Sequence, residues 1–531
     1  MNRFPIAGRE LRVAARRPAT WWLRLSATLL ALAFLATLLA AGSFNPPSGG
    51  LHGLRGIGII MLTLASLSGC FLTADSISAE RREGTLGLLF LTPLRALDVV
   101  LGKLVVSGLT MTLCLVALLP LLFITMLVGG VTPVQAVNLA ITILTALLLS
   151  LGVGLLVSAL SVDSTRAAMT TLAVMVLVTL LPLLLFEVSR ELFGGPMSFN
   201  PLAAVSPVFT LVFGLEPRWT GSNVLYFWFC VGSQGSLGVA LVAAAAVVLS
   251  RNWRLAMDPP VVRPRIDEVA STSPGGAFSR WRNPYEELVY RQVRDPGWAR
   301  WFRRFVWSVL LAMCACILLL RNPDLDVFLT SAMLAVLTLH LLVGLALALE
   351  SSRLVHQHLR SGAYELLLAT PLPGGMIPFG LTEAFQRRFR RAMLTTALGN
   401  VLVLLTVMYR GSDIHMYRDG IMLVAAFLMG GLVTSLVNFG AIPWAGVVHG
   451  LRARTPLRGA FRALLLVHGF PWAAFCVVFI ILVNGNFRSE LFVAAWFLGY
   501  YLAATVFGVR LGIALRLNLR RRFRELVTAA C

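Results

Sequence analysis

Long apolar segments constrain the fold of this chain more than any other feature. Each runs for about 20 residues with hardly a charged side chain, which is the length an α-helix needs to cross the hydrocarbon core of a bilayer. Of the 531 residues, 58% are hydrophobic and only 13% are charged, well below the charged fraction of a soluble domain. The segments are continuously apolar, whereas membrane β-barrels alternate. The sequence therefore predicts an all-α, polytopic membrane protein.

The apolar segments form two sets of six, which predicts about 12 transmembrane helices. Their approximate positions are 22–41, 56–75, 99–128, 134–160, 167–187 and 224–250, then 305–320, 327–349, 379–408, 421–443, 463–484 and 490–515. The third segment contains Pro120, so we expect a kink or a break there. The polar stretch 251–282 is rich in proline, glycine and serine, as linkers are. We therefore predict a first six-span unit at 1–250, a cytoplasmic linker at 251–282 and a second unit at 283–531.

The basic residues indicate how the chain is oriented. The net charge is +21, from 45 Lys and Arg against 24 Asp and Glu, and most of the basic residues lie in the segments that share one side of the membrane if the N-terminus is inside. The positive-inside rule explains this excess better than binding to nucleic acid does. We expect a multi-pass protein of the inner (plasma) membrane with both termini cytoplasmic. The seven cysteines lie in or near apolar segments or at the C-terminus, so we expect no structural disulfide.

A charged loop after the second segment returns later in the chain. The first copy is Glu80-Arg81-Arg82-Glu83-Gly84-Thr85, followed by an apolar run and Thr92-Pro93; the second contains Arg360, Gly362, Thr370 and Pro371. Gly84 and Gly362 are 278 positions apart, and six of the eleven positions from Gly84 to Leu94 are identical in the two copies. This constant offset predicts an internal repeat of six plus six spans.

The chemistry of the first loop suits docking to a soluble partner. Its alternating charges can pair with charges on another protein, and Gly84 permits a tight turn. The run Leu86–Leu91 can form a short apolar helix that Pro93 ends. The alternative is an ordinary loop that lies at the membrane interface.

Amphipathic stretches come before each set of spans. Before the first set, basic residues recur at helical spacing, which predicts an interfacial helix with Arg9, Arg12 and Arg16 on one face, or else a disordered basic tail. Before the second set, Asn283 is a suitable N-cap, and Glu286 stands three positions later as in a capping box. The second predicted interfacial helix contains Glu286, Glu287 and Arg291.

An energy source for transport is not evident in the sequence. Lys103 is the only lysine, and the phosphate-binding motif around it would need Gly and Ser or Thr where Leu97 and Leu104 stand. The predicted spans hold very few carboxylates, and we expect His340, His449 and His468 to be satisfied interior residues. We find neither a catalytic nor a metal-binding motif. We therefore predict a protein that is not an enzyme and binds no cofactor itself.

The loop Ser76–Leu94, with its Glu-Arg-Arg-Glu-Gly-Thr core and Thr-Pro end, resembles that of the ABC-2 type transporter permeases. The openings Gly8-Arg9-Glu10-Leu11 and Asn283-Pro284 resemble the interfacial helix of that family. The resemblance implies a permease, an exporter by analogy with the family, whose ATP and Mg²⁺ are used by separate ABC ATPase subunits, two in number. It implies ATPase docking for the matching positions of the first loop, Glu80, Arg81, Arg82, Glu83, Gly84, Thr85, Thr92 and Pro93, and for Arg360, Gly362, Thr370 and Pro371 of the second.

Two departures from the family pattern shape our expectations. Family members are usually single six-span chains that dimerise, so two joined units imply a complete pseudo-dimer in one chain. In the second loop, His358 and Ser361 stand where Glu80 and Glu83 would align, so we expect asymmetric docking. The spans offer few polar groups, which favours a hydrophobic or amphipathic cargo. The alternatives are a membrane scaffold or assembly component of a larger complex and a 12-span secondary carrier, the latter disfavoured by the few intramembrane carboxylates.

Overall fold

A computed structural model describes most of the chain. The described residues are 8, 18–40, 49–91, 94–162, 164–193, 203–216, 221–252, 283–292, isolated positions between 304 and 315, 325–412, 418–453, 455–471 and 490–530. Every regular element among them is helical, and none is a strand, so the all-α prediction is confirmed. The chain divides into two compact units, Met1–Val262 and Arg263–Cys531. The division lies within the predicted linker.

The first unit is organised around one long helix. Its helices are α1 (Pro18–Ala40), α2 (Gly49–Ser68), α3 (Ser76–Arg82), α4 (Thr85–Phe90), α5 (Ala96–Val116), α6 (Leu119–Val128), α7 (Pro133–Leu160), α8 (Ser164–Phe193), α9 (Pro207–Gly214) and α10 (Gly221–Asn252). A π-turn, Gly69–Thr73, continues α2. Helix α7 packs against α2, α8 and α10 and forms the centre of the unit. The predicted span 99–128 is two helices, because the chain breaks between Val116 and Leu119, just before Pro120.

The second unit has a comparable centre. Its helices are α11 (Pro284–Gln292), α12 (Leu325–Arg360), α13 (Ala363–Leu368), α14 (Met376–Ser412), α15 (Arg418–Arg452), α16 (Pro456–Leu464) and α17 (Glu490–Thr528), with a π-turn at Leu465–Gly469 after α16. Helix α15 packs against α12, α14 and α17. Each unit therefore buries one helix among several long apolar neighbours.

Eight helices in the described part of the chain are long and apolar enough to cross a membrane. They are Gly49–Arg82, Ala96–Val128, Pro133–Leu160, Asn223–Arg251, Leu339–Arg360, Met376–Tyr409, Val424–Arg452 and Trp496–Thr528. The predicted spans 22–41 and 167–187 lie mostly in α1 and α8, whose described apolar stretches are shorter. The predicted spans 305–320 and 463–484 fall mostly outside the described residues. The polytopic class is confirmed, and the count of twelve stays a prediction.

Small residues let α2 and α7 approach closely just before the charged loop. The backbone N–H of Gly69 donates to Oγ of Ser150 at 2.9 Å, and that hydroxyl donates to the carbonyl of Ser66 at 2.6 Å. A methyl group on Gly69 would lie 2.0 Å from the carbonyl oxygen of Ser150. Close backbone contact of this kind is typical of helix packing in membranes. It fixes the position from which the charged loop leaves the bundle.

The segment 203–216, which lies between two of the predicted spans, packs back against the bundle. Three buried amide side chains donate to its carbonyl oxygens: Gln135 to Leu215 at 3.1 Å, Asn138 to Gly214 at 3.2 Å, and Gln234 to Ala204 at 3.0 Å. Most of its residues are buried. These bonds satisfy carbonyl groups for which the surrounding apolar side chains offer no hydrogen-bond donor.

Candidate docking loops

Both charged loops turn at a glycine in the left-handed region. The φ angles are 71° at Gly84 and 67° at Gly362, where a side chain would be strained. The short helices that follow, α4 and α13, begin and end 278 positions apart, the same offset as in the sequence. Leu86 and Tyr364, which also correspond at this offset, are both fully buried. The short helix predicted over Leu86–Leu91 is confirmed, as Thr85–Phe90, and the second loop forms a helix at the corresponding positions.

A buried ion pair joins the first loop to the third apolar segment. Nζ of Lys103, on α5, lies 3.1 Å from Oε1 of Glu80, and the lysine is 7% exposed. The hydroxyl of Thr85 donates to the other carboxylate oxygen of Glu80. Glu80 therefore ties α3, α4 and α5 together.

The two arginines of the tetrad also bind within the unit. Arg81 donates to the carbonyl of Ala159 at 3.2 Å. Arg82 donates to the carbonyl of Val162 at 3.0 Å and pairs with Asp75 at 2.9 Å. The sequence interpretation assigned all four charges of the tetrad to a partner-facing surface. In the structure Glu80 and the arginines hold the loop to its own helices, because α7 ends beside α3.

Ser158 of α7 caps the start of the loop helix α3. Its Oγ accepts hydrogen bonds from the backbone N–H groups of Ile77 at 2.9 Å and Ser78 at 3.1 Å, and the serine is fully buried. The first N–H groups of a helix have no acceptor inside the helix, so a neighbouring helix supplies the acceptor here.

Replacing Ser158 by alanine is expected to lower the free energy of unfolding by about 1–2 kcal/mol, as loss of a helix cap does. The measurement is chemical unfolding of the purified chain in detergent. Ser236→Ala is the matched control, since that exposed hydroxyl bonds only within its own helix. Equal stability of the two variants would contradict a capping role for Ser158.

The surface that the first loop leaves open is mainly apolar. Leu88 and Leu91 are 64% and 75% exposed, and Glu83 and Gly84 are also exposed. Leucines this exposed are available for contact with another molecule or with the membrane interface. Thr92 and Pro93 lie outside the described residues.

The second loop is held by aromatic residues instead of an ion pair. Nδ1 of His358, the residue that corresponds to Glu80, lies 2.9 Å from the hydroxyl oxygen of Tyr285 on α11. The rings of His358 and Tyr364 meet edge to face, and Tyr364 meets Phe523 in the same way. Arg360 and Pro371 are exposed. Gly362 forms the turn before α13. The hydroxyl of Thr370, just after that helix, donates to the carbonyl of Leu367.

Helix α11 packs on α14, and this corrects the prediction of a capping box. Asn283 does accept from the N–H of Tyr285, and its amide donates to the carbonyl of Met376. The buried carboxylate of Glu286, however, pairs with Nε of Arg387 at 2.8 Å instead of returning to Asn283. Burial raises the pKa of Glu286, and the charge of Arg387 opposes that rise.

The remaining predicted residues of the interfacial helices divide between described and undescribed parts of the chain. Glu287 is buried on α11. Arg9, Arg12 and Arg16 lie outside the described residues, as does the side chain of Arg291.

Sequence reasoning missed Lys103, Ser158 and Tyr285 as residues of these loops. A signal existed for Lys103, because a lone lysine inside an apolar segment needs a partner of opposite charge. Ser158 and Tyr285 carry no comparable signal, since nothing in their neighbours indicates which helix they face.

The fold and the loops together define a multi-pass helical membrane protein with a glycine-turned loop and short helix in each unit. Residues 5–190 match the family model described as ABC-2 type transporter. Over these residues the chain is similar to the ABC-2 type transporters, as the resemblance inferred from the first loop predicted. No curated protein matches the chain.

Proposed function

We propose that the chain is the membrane permease of an ATP-driven exporter, with both six-span units in one polypeptide. ATP and Mg²⁺ are used by two separate ABC ATPase subunits that dock on the charged loops. The observation that carries the proposal is the pair of glycine-turned helices, α4 and α13, at one constant offset. The family match covers residues 5–190, which lie in the first unit. The tandem arrangement is therefore proposed from the constant offset.

The contacts of the first loop suit the transmission of force. Leu88, Leu91 and Glu83 offer a docking surface, while buried Leu86 and the Glu80–Lys103 pair attach the same hairpin to α5. A movement imposed on the exposed side of α4 would therefore pass into a spanning helix instead of bending the loop. Rigid elements of this kind carry hinge and shear motions in transporters and other switching proteins.

The two loops are proposed to contribute unequally. The first presents exposed Glu83 beside its leucines, while the second presents exposed Arg360 and the exposed Leu366. A partner surface that complements Glu83 at the first loop would meet the exposed, uncharged Ser361 at the corresponding position of the second. We further propose that both termini and both loops are cytoplasmic, at the inner membrane, following the distribution of basic residues. The cargo is proposed to be hydrophobic or amphipathic.

The test reverses one charge in each loop. Glu83→Arg and Arg360→Glu are made separately in the full chain, which is reconstituted in lipid with the ATPase that co-purifies with it. We expect Glu83→Arg to reduce stimulated ATP hydrolysis by about tenfold and Arg360→Glu by about twofold or less, because like charges at an interface oppose docking. Glu525→Arg, an exposed site near the C-terminus, serves as the charge-matched control.

Two outcomes separate the parts of the proposal. Equal losses in the two variants would contradict unequal docking. Transport driven by a proton gradient in the absence of any ATPase would overturn the assignment to an ATP-driven permease.

A further inference from the structure

A cleft among the long helices of the second unit is lined by polar side chains that the docking loops do not use. The cleft has a volume of about 40 Å³ and lies between α12, α14, α15, α17 and the π-turn after α16. Its polar lining includes His340, Asn400, Thr434, Asn438 and His468. This is space for a few groups of about the size of a water molecule or a hydroxyl.

Several polar atoms at this cleft lack a partner. Asn400 and Asn438 are 1% and 4% exposed, and neither Oδ1 atom has a hydrogen-bond partner among the described residues. The orientation of Asn400 is set by its amide nitrogen, which donates to the carbonyl of Leu428. Nδ1 of His468 also has no partner within the described chain, so the expectation of a satisfied interior histidine fails for this atom. Buried acceptors without donors are costly, which indicates a group that supplies donors.

The charge of the lining limits which molecule can enter. The lining residues that the structure describes include neither a carboxylate nor a lysine or arginine, and their apolar members include Leu337, Leu341 and Phe427. A charged group among apolar helices without a counter-charge would be strongly disfavoured. A neutral hydroxyl can donate to an amide oxygen, and an alkyl body can pack on the apolar wall. This combination selects an uncharged amphiphile.

We propose that this cleft binds an uncharged, hydroxyl-bearing lipid-like molecule, whose hydroxyl group donates to the amide oxygen of Asn400. His468 supplies a further polar contact to the same group. The inference is independent of ATP-driven transport, because binding here needs no ATPase. The test below is therefore made on the permease chain alone.

The probe is hexadecanol carrying a diazirine, with the matching diazirine hexadecane as reference. The full chain in lipid nanodiscs is irradiated with each probe, and labelled peptides are identified by mass spectrometry. We expect the alcohol to label the peptides that line the cleft about tenfold more than the alkane, in keeping with one or two hydrogen bonds. Unlabelled hexadecanol should compete, and hexadecanoate, which is charged, should not.

Variants assign the labelling to the cleft. Asn400→Leu removes the acceptor with little change in volume and should lower labelling by the alcohol about tenfold. Thr63→Leu is the control, since this exposed threonine of the first unit bonds only to its own helix. Equal labelling by alcohol and alkane, or competition by hexadecanoate as strong as by hexadecanol, would overturn the proposal. Both of these results come from the unaltered chain, so they do not depend on how the variant folds.

Discussion

Replacing Lys103 by methionine is expected to lower the free energy of unfolding by about 3 kcal/mol and to abolish stimulation of the ATPase. The substitution leaves Glu80 charged and without its cation in a largely buried position, where loss of one partner costs far more than loss of both. It also removes the ion pair that joins the α3–α4 hairpin to α5 and leaves only the apolar packing of Leu86. Docking could then persist while the movement of the loop no longer reaches the spanning helix.

The double variant Glu80→Gln with Lys103→Met separates charge from packing. It should recover a large part of the lost stability, because no unpaired charge remains, but it should not recover ATPase stimulation. Lys103→Arg keeps the charge and is expected to be the mildest change. Unfolding in detergent and ATP hydrolysis by the reconstituted complex measure the two effects. If Lys103→Met alone is as stable as the unaltered chain, the ion pair does not hold the loop.

Replacing Gly69 by alanine is expected to cost about 2–3 kcal/mol or more, as overpacking a close contact does. The added methyl group would lie 2.0 Å from the carbonyl oxygen of Ser150, so backbone must move. The π-turn that contains Gly69 is followed directly by α3. We therefore expect the first loop to be displaced as well, with lower ATPase stimulation than the stability loss alone would cause.

Gly232→Ala and Gly235→Ala are the matched controls for this substitution. Both glycines lie in α10, and a methyl group at either position would meet nothing within 4 Å. These variants should equal or slightly exceed the stability of the unaltered chain, since alanine is the better helix former. If Gly69→Ala behaves like them, the contact between the π-turn and α7 does not limit the position of the loop.

Much of the architecture could be predicted without coordinates. Segment length and apolarity are local properties, and they indicate helical spans wherever the bilayer is the solvent. The turn at Gly84, the short helix that follows it and their echo at Gly362 depend on residues next to each other in the chain. The break before Pro120 follows from the geometry of proline. For the same local reasons, the family resemblance could be drawn from one loop.

Local residue patterns establish the class, the two sets of apolar segments and the positions of the two loops. The direction in which the charges face depends on the tertiary structure. Glu80 pairs with a lysine 23 positions away, and Glu286 pairs with Arg387 instead of its own helix cap. Such choices depend on which helix lies alongside and on how much water remains there. The free energy of a charge depends on its burial and its partner, and both are set only when the helices pack.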